Sequence, residues 1–261
     1  PREGAMSASR ETVVVKFGGT SLGTPSRIRS AARRVAALVA GGRRVVAVVS
    51  AMGHTTDHIL ETLGALENRR VGSPAGREAD RALATGEDLS AALLAAALNA
   101  VGVAARSLRG GEAGVRADGE FGAARVAGVD ARRLRALLAR GVVPVVSGFQ
   151  GERKDREVAT LGRGGSDTSA VAIAAALGPA SCLIVTDVDA VYDRDPQRHQ
   201  NARPLRRLSH DQLFDLARSG AQVVAAEAAR LARAHGVPLR VVGYDAPPQD
   251  EECGTFVGVA R

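Results

Sequence analysis

Short apolar runs alternating with longer helical stretches constrain this chain more than any other feature. Val13-Val14-Val15-Lys16-Phe17 and the run over 45–49 are too short for helices and too evenly apolar for half-exposed strands, so both read as buried strands. Between them lies an Ala-, Arg- and Val-rich helix over 26–40, stopped by Gly41-Gly42. The alternation continues. Helices are expected over 56–66, 77–98 (as one or two), 131–139, 168–177, 211–218 and 223–234. Strands are expected over 102–108, 142–147, 182–185, 239–242 and 256–257. Residues 68–76 read as a polar turn region, 109–129 as Gly-rich short strands or loops, and 151–160 as an exposed hairpin or loop. This order implies an α/β chain with a mainly parallel central sheet covered on both faces by helices.

Length and charge narrow the choice further. The 261 residues fit one large α/β domain or two lobes sharing a sheet. Residues 1–11 are expected as a frayed or expression-derived terminus and 12–261 as the folded domain. Aromatics are 3% and Trp is absent, so Val, Leu, Ala and Ile must build the core. The net charge of +7 is spread over short Arg pairs such as Arg33-Arg34 and Arg206-Arg207. No aromatics interleave with them, which fits solvated helix faces and not a nucleic-acid surface. No apolar run reaches the ~20 residues of a membrane helix, and no signal peptide is visible. Cys182 and Cys253 lack metal-ligand spacing, and a reducing compartment, the cytoplasm, is expected. No histidine falls in ligand or triad spacing, and neither G-x-S-x-G nor a Walker A loop occurs. No metal site is assigned to side chains of the chain.

Four segments that follow strands carry the chemistry, because open parallel sheets bind ligands beyond the carboxyl ends of their strands. In Lys16-Phe17-Gly18-Gly19-Thr20-Ser21, paired glycines let backbone N–H groups face a phosphate. Only two lysines occur, Lys16 and Lys154; every other fixed cation is Arg. A lysine kept at a strand end offers a compact charge that can follow a phosphoryl group. Ser50-Ala51-Met52-Gly53-His54-Thr55-Thr56-Asp57 can bind an anion through backbone and hydroxyl groups, or can simply cap a helix. Thr160-Leu161-Gly162-Arg163-Gly164-Gly165-Ser166-Asp167 runs straight into a helix N-terminus, where N–H donors are free. There Arg163 can grip a carboxylate in two-pronged fashion, and Asp167 can cap the helix or orient Lys16 or a metal ion. In the segment 186–196, hydroxyl, carboxylate and Tyr groups suit a nucleoside; a metal site built from Asp187, Asp189 and Asp195 is the alternative, though its spacing is unlike a calcium loop. Glu87 lies just before an apolar helix, either facing a substrate ammonium or favouring the helix dipole from the first turn.

Taken together these segments resemble the amino-acid kinase family, and within it the aspartate kinases. The matching stretches are KFGGTS at 16–21, VVSAMGHTTD at 48–57, ATGEDLSAALLAAAL at 84–98, SGFQG at 147–151, TLGRGGSDTSAVAIAAALG at 160–178 and TDVDAVYDRDP at 186–196. The resemblance runs from about residue 12 to residue 258. It implies the three-layer α/β/α amino-acid kinase fold, with amino-acid binding mainly in the N-terminal half and nucleotide binding mainly in the C-terminal half. It implies ATP and Mg2+, an aspartate-like substrate, an acyl-phosphate product and a homodimer. By the same resemblance Lys16 and Asp167 are catalytic. Thr55, Glu87, Arg163, Gly164, Gly165 and Ser166 bind the amino acid. Gly18, Gly19, Ser21, Ser50, Thr186, Asp187, Tyr192, Arg194, Asp195 and Gln222 face the nucleotide.

The chain departs from the family where Gln197 and Gln222 stand in place of two cations expected near ATP phosphates. A different carboxylate substrate, altered nucleotide chemistry or a non-catalytic ligand binder are the alternatives this leaves. Family members run on into regulatory ACT domains, whereas the resemblance here ends at Gly254–Gly258, so a kinase domain without them is expected.

Overall fold

The computed structural model describes residues 11–66, 76–194, 199, 201–219, 223–247 and 253–258. In chain order its elements are β1 (Thr12–Phe17), α1 (Pro25–Ala40), β2 (Arg44–Val49), α2 (Thr55–Leu66), α3 (Arg77–Ala100), β3 (Ala105–Leu108), β4 (Val115–Asp118), β5 (Arg125–Val129), α4 (Arg132–Ala139), β6 (Val143–Ser147), β7 (Gln150–Glu152), β8 (Val158–Thr160), α5 (Gly165–Leu177), β9 (Ala180–Thr186), β10 (Val191–Tyr192), β11 (Pro204–Leu205), β12 (Arg207–Leu208), α6 (His210–Arg218), α7 (Ala226–His235), β13 (Leu239–Gly243) and β14 (Thr255–Val257).

Eight strands form the main sheet in the order β12-β14-β13-β9-β1-β2-β6-β3. Every pairing in it is parallel except β13 with β14. The strands are apolar on both faces because both faces are covered. On one face Val13, Val15 and Phe17 of β1 pack with Ile28, Val35 and Leu38 of α1 and with Leu94 and Leu98 of α3. On the other, Val14, Val46 and Val48 pack with Leu134 of α4, Val171 and Ile173 of α5, Leu213 of α6 and Ala228 of α7. This is the expected three-layer α/β/α arrangement with a mainly parallel centre.

A second sheet, ordered β5-β4-β7-β8, comes from the Gly-rich and charged stretches. Two of its glycines are there for close approach. A Cβ on Gly110 would sit 2.2 Å from the Gln150 carbonyl oxygen, and one on Gly114 (φ +87°) 2.1 Å from that of Asp130. The hairpin expected over 151–160 is β7–β8, but its second strand ends in Thr160, which is buried instead of exposed.

Several helix boundaries differ from the sequence reading. The stretch 77–98 is one helix, α3, and Thr85-Gly86 does not interrupt it. α5 starts at Gly165, not at 168, because Gly164 adopts the left-handed conformation (φ 74°) and serves as its N-cap. α7 starts only at Ala226: Ala225 is extended, and its N–H is turned to Asp167. The turn region expected over 68–76 lies, but for its last residue, outside the described residues.

Candidate active site

Parallel register brings the carboxyl ends of the central strands to one edge. Phe17 stands level with Val49 and Val185, Val49 with Ser147, and Thr186 with Gly243. Backbone hydrogen bonds extend the ladder into the turns. Gly18 N–H donates to Val185 O (3.0 Å), Ser50 N–H to Phe17 O (3.1 Å), Gly148 N–H to Val49 O (2.9 Å) and Gly53 N–H to Gly19 O (3.0 Å). A Cβ on Gly19 would lie 2.6 Å from Ala51 O, so glycine is what lets the first two turns nest.

Side-chain alternation along β1 decides where Lys16 points. Val13, Val15 and Phe17 face α1 and α3, so Lys16 falls with Val14 on the α5 side. There Lys16 Nζ lies 2.7 Å from Asp167 Oδ1, both side chains being only 11% and 10% exposed. The contact is an ion pair whose angles fall outside hydrogen-bond geometry at Oδ1. Asp167 does not cap α5, since that position belongs to Gly164 and has no side-chain cap bond. It sits in the first turn, and its Oδ2 accepts a hydrogen bond from Ala225 N–H at 3.3 Å. One carboxylate therefore links the end of β1, the start of α5 and the approach to α7.

Glu87 lies in the middle of α3, not in a first turn, which removes the helix-dipole reading. Gly86 allows this placement: a Cβ there would lie 2.8 Å from Ala51 Cβ and 3.4 Å from Thr55 Cγ2, so α3 presses directly on the turn after β2. Glu87 is 3% exposed. Its Oε1 accepts from Ala51 N–H at 2.9 Å, while its Oε2 is buried without a partner among the described residues. Burial pushes this carboxyl up to about 7, with the neighbouring Asp88 charge adding to the rise and the Ala51 bond opposing it. An unsatisfied buried carboxylate oxygen is costly and suits a cation that arrives with a ligand. Thr55 is half-buried, and its hydroxyl donates to Met52 O at 2.7 Å, which locks the same turn.

The start of α5 closes against these turns. Gly165 and Ser166 are buried, and a Cβ on Gly148 would lie 2.9 Å from Ser166 Cβ. Arg163 is exposed and makes no ion pair among the described residues, so its fork of donors is uncommitted. On the β9 side, Thr186 Oγ1 donates to Asp187 Oδ1 (3.1 Å), and the Tyr192 hydroxyl donates to Asp189 Oδ1 (2.8 Å). That bond raises the Tyr192 hydroxyl above its usual value. Arg194 leans on Asp193, with Nε 3.5 Å from Oδ1. Asp195, Gln197 and Gln222 lie outside the described residues. Ser21 is buried behind the first turn and donates to Val185 O at 3.3 Å.

Asp189, which the sequence offered as a metal ligand, holds Tyr192 instead. A carboxylate next to these groups escaped the sequence reading. Asp88 accepts from Ser147 Oγ (2.7 Å) and Gln150 Nε2 (3.1 Å), fastening α3 to the end of β6 beside Glu87. Its partners stand 59 and 62 residues away, so no local pattern signals the contact. Among the described residues no group of three His, Cys, Asp or Glu side chains converges to hold a metal by itself.

Comparison with known proteins agrees with this geometry. The profile of the amino acid kinase family matches residues 11–243. An aspartokinase of Geobacillus stearothermophilus is 43% identical over 94% of this chain and 58% of its own length. One from Corynebacterium efficiens is 45% identical over 88% of this chain and 54% of its own. The chain thus spans about half the length of the curated relatives it matches. Among solved structures, an aspartate kinase from Synechocystis superposes with a TM-score of 0.79 at 40% identity, covering 95% of this chain and 40% of that one. E. coli aspartokinase III, solved with aspartate and ADP, superposes at 0.80 with 24% identity over 95% of this chain and 64% of its own, a likeness of fold alone. With the profile covering nearly the whole described region, the chain belongs to the amino acid kinase family.

Proposed function

We propose that the protein phosphorylates the side-chain carboxylate of L-aspartate with ATP, giving 4-phospho-L-aspartate and ADP. The observation that carries this reading is the Lys16–Asp167 pair at the glycine-lined strand ends, one helix start away from Arg163 and across the β2 turn from Glu87. Aspartokinase relatives support it.

In this reading Arg163 grips the α-carboxylate and Glu87 Oε2 meets the ammonium, with Thr55, Gly164, Gly165 and Ser166 lining the pocket. The free side-chain carboxylate is already ionised and needs no general base. Its oxygen attacks the γ-phosphorus in line; a new O–P bond forms as the bond to the ADP oxygen breaks. Charge spreads over the equatorial phosphoryl oxygens, and Lys16, oriented by Asp167, neutralises it. Gly18, Gly19, Ser21 and Ser50 shape the phosphate side. Thr186, Asp187, Tyr192, Arg194, Asp195 and Gln222 take the nucleoside and its phosphates. No side chain is assigned to Mg2+; bound together with ATP it would add charge neutralisation at the phosphates. The same reading divides the chain into an amino-acid-binding N-terminal half and a nucleotide-binding C-terminal half, and makes it a cytoplasmic homodimer.

Hydroxylamine trapping tests the proposal. ATP and aspartate together are expected to give aspartyl hydroxamate, and Lys16→Ala to lower kcat by about 10²–10³-fold with the fold intact by circular dichroism. Absence of hydroxamate under conditions where a relative produces it would sink the reading. A better substrate in a panel of carboxylates would move it to another acid.

A further inference from the structure

A cavity of about 270 Å³ opens on the sheet face opposite Lys16, between α1 and the ends of β1, β9 and β13. Phe17 and Val185 contribute apolar wall, and Ser26, Arg27, Ser30, Arg34 and Tyr244 ring it. Arg34 is only 4% exposed. Its hydrogen bonds leave from Nη2 for the carbonyls of Tyr244 and Ala246, and no carboxylate pairs with it among the described residues. Burial holds the guanidinium below its usual value, with Cys253 opposing the fall and the Arg240 charge adding to it. Arg27 adds a second guanidinium: it stacks 4.6 Å over the Tyr244 ring, and its Nη2 donates to the Tyr244 hydroxyl. The one carboxylate on the wall, Asp245, is exposed and solvated.

A larger cavity, about 570 Å³ beside the first half of α3, contrasts with this. Arg109 on its wall is already matched, with Nε 3.1 Å from Asp88 Oδ2. Buried cations are normally paired, and a desolvated guanidinium facing open space favours an anion.

We propose that the cavity between α1 and the ends of β1, β9 and β13 is a second anion-binding site. It takes a small carboxylate or phosphate through Arg27, Arg34 and the Ser26 and Ser30 hydroxyls. The site does not depend on the phosphotransfer reading, but it is built against the same turn. Ser21 lines it, and a Cβ on Gly18 would lie 3.9 Å from Ser21 Oγ and 3.6 Å from Lys16 Nζ. Arg27 Nη1 also donates to Thr20 O at 2.7 Å. The turn 18–21 is therefore the wall between the two anion sites.

Calorimetric titration of the full chain with inorganic phosphate and, separately, with succinate tests this. Lys16→Ala removes the ammonium of the opposite face and is used as the background. That background is expected to keep binding at least one of the two probes, and the tighter one identifies the ligand chemistry. Ser26→Asp places a fixed negative charge in the cavity at a first-turn position that tolerates acids. It is expected to weaken binding at least tenfold while circular dichroism and Tm stay unchanged. Arg34→Gln serves as the second variant and is expected to weaken binding as well. Failure of both probes to bind Lys16→Ala overturns the proposal. So does binding that is indifferent to both Ser26→Asp and Arg34→Gln.

Discussion

Glu87 shows how one buried side chain couples stability to pH. Its carboxyl titrates at about 7 against an ordinary 4.5, so from pH 4.5 to 7 the folded chain keeps a proton that the unfolded chain has released. Stability therefore falls as pH rises through that window and levels off above it, by about 3 kcal/mol in all. Glu87→Gln keeps an acceptor for Ala51 N–H and abolishes the titration. The Tm advantage of the variant is expected to grow between pH 5 and 7.5 and then stay flat; a pH-independent difference would show that the carboxyl is not raised. Ionisation also prepares Glu87 for an ammonium. In the proposed reaction KM for aspartate falls as pH rises through 7, and the variant shows a KM roughly 30–150-fold higher, the cost of a lost charged hydrogen bond of about 2–3 kcal/mol.

At the scale of elements, close approach governs the site. Gly148→Ala drives a methyl against Ser166 Cβ and Val49 O, both 2.9 Å away. Gly164→Ala adds a 2.3 Å clash with Ala225 Cβ to a positive φ. Each is expected to cost about 1–3 kcal/mol in urea denaturation and to lower kcat by shifting the start of α5. Gly128→Ala, with open space around it and an ordinary φ, is expected to stay within about 0.5 kcal/mol of the parent. The same positions explain what the sequence could and could not disclose. Valine runs and glycine stops identify β1, β2, α1 and the parallel class because those signals are local. The stretch 77–98 reads as one helix or two, and the contact that makes it one, Gly86 as a notch for Ala51 in the middle of α3, is not local. For Asp167 the sequence leaves open a cap or a partner for Lys16, and only the fold, which brings Lys16 within 2.7 Å, decides for the second. Glycines leave 109–129 open between short strands and loops because glycine marks both flexibility and tight contact, and only packing separates the two.

At the scale of the molecule, the second sheet has little apolar core of its own: the cluster it forms apart from the main core is Ala117, Ala124, Ala159 and Leu161. A polar clamp compensates. Asp80 of α3 is fully buried and accepts from Thr160 N–H (2.7 Å), Thr160 Oγ1 (2.9 Å) and Gly122 N–H (3.0 Å). Asp80→Ala leaves three donors without an acceptor and is expected to cost about 3–5 kcal/mol. Hydrogen exchange should accelerate in β7 and β8 more than in β1 and β2; uniform acceleration would show that the clamp supports the whole fold equally.

The strand order has a further consequence for biogenesis. Of the described strands β1 leaves the ribosome first, yet it ends between β2 and β9, and β9 begins only at Ala180. At translation rates of about 5–20 residues per second, one flank of a valine strand waits roughly ten to thirty seconds for its mate. A nascent chain of this topology carries an open, sticky border through most of its synthesis, and shielding that border is a task for the cell's chaperones.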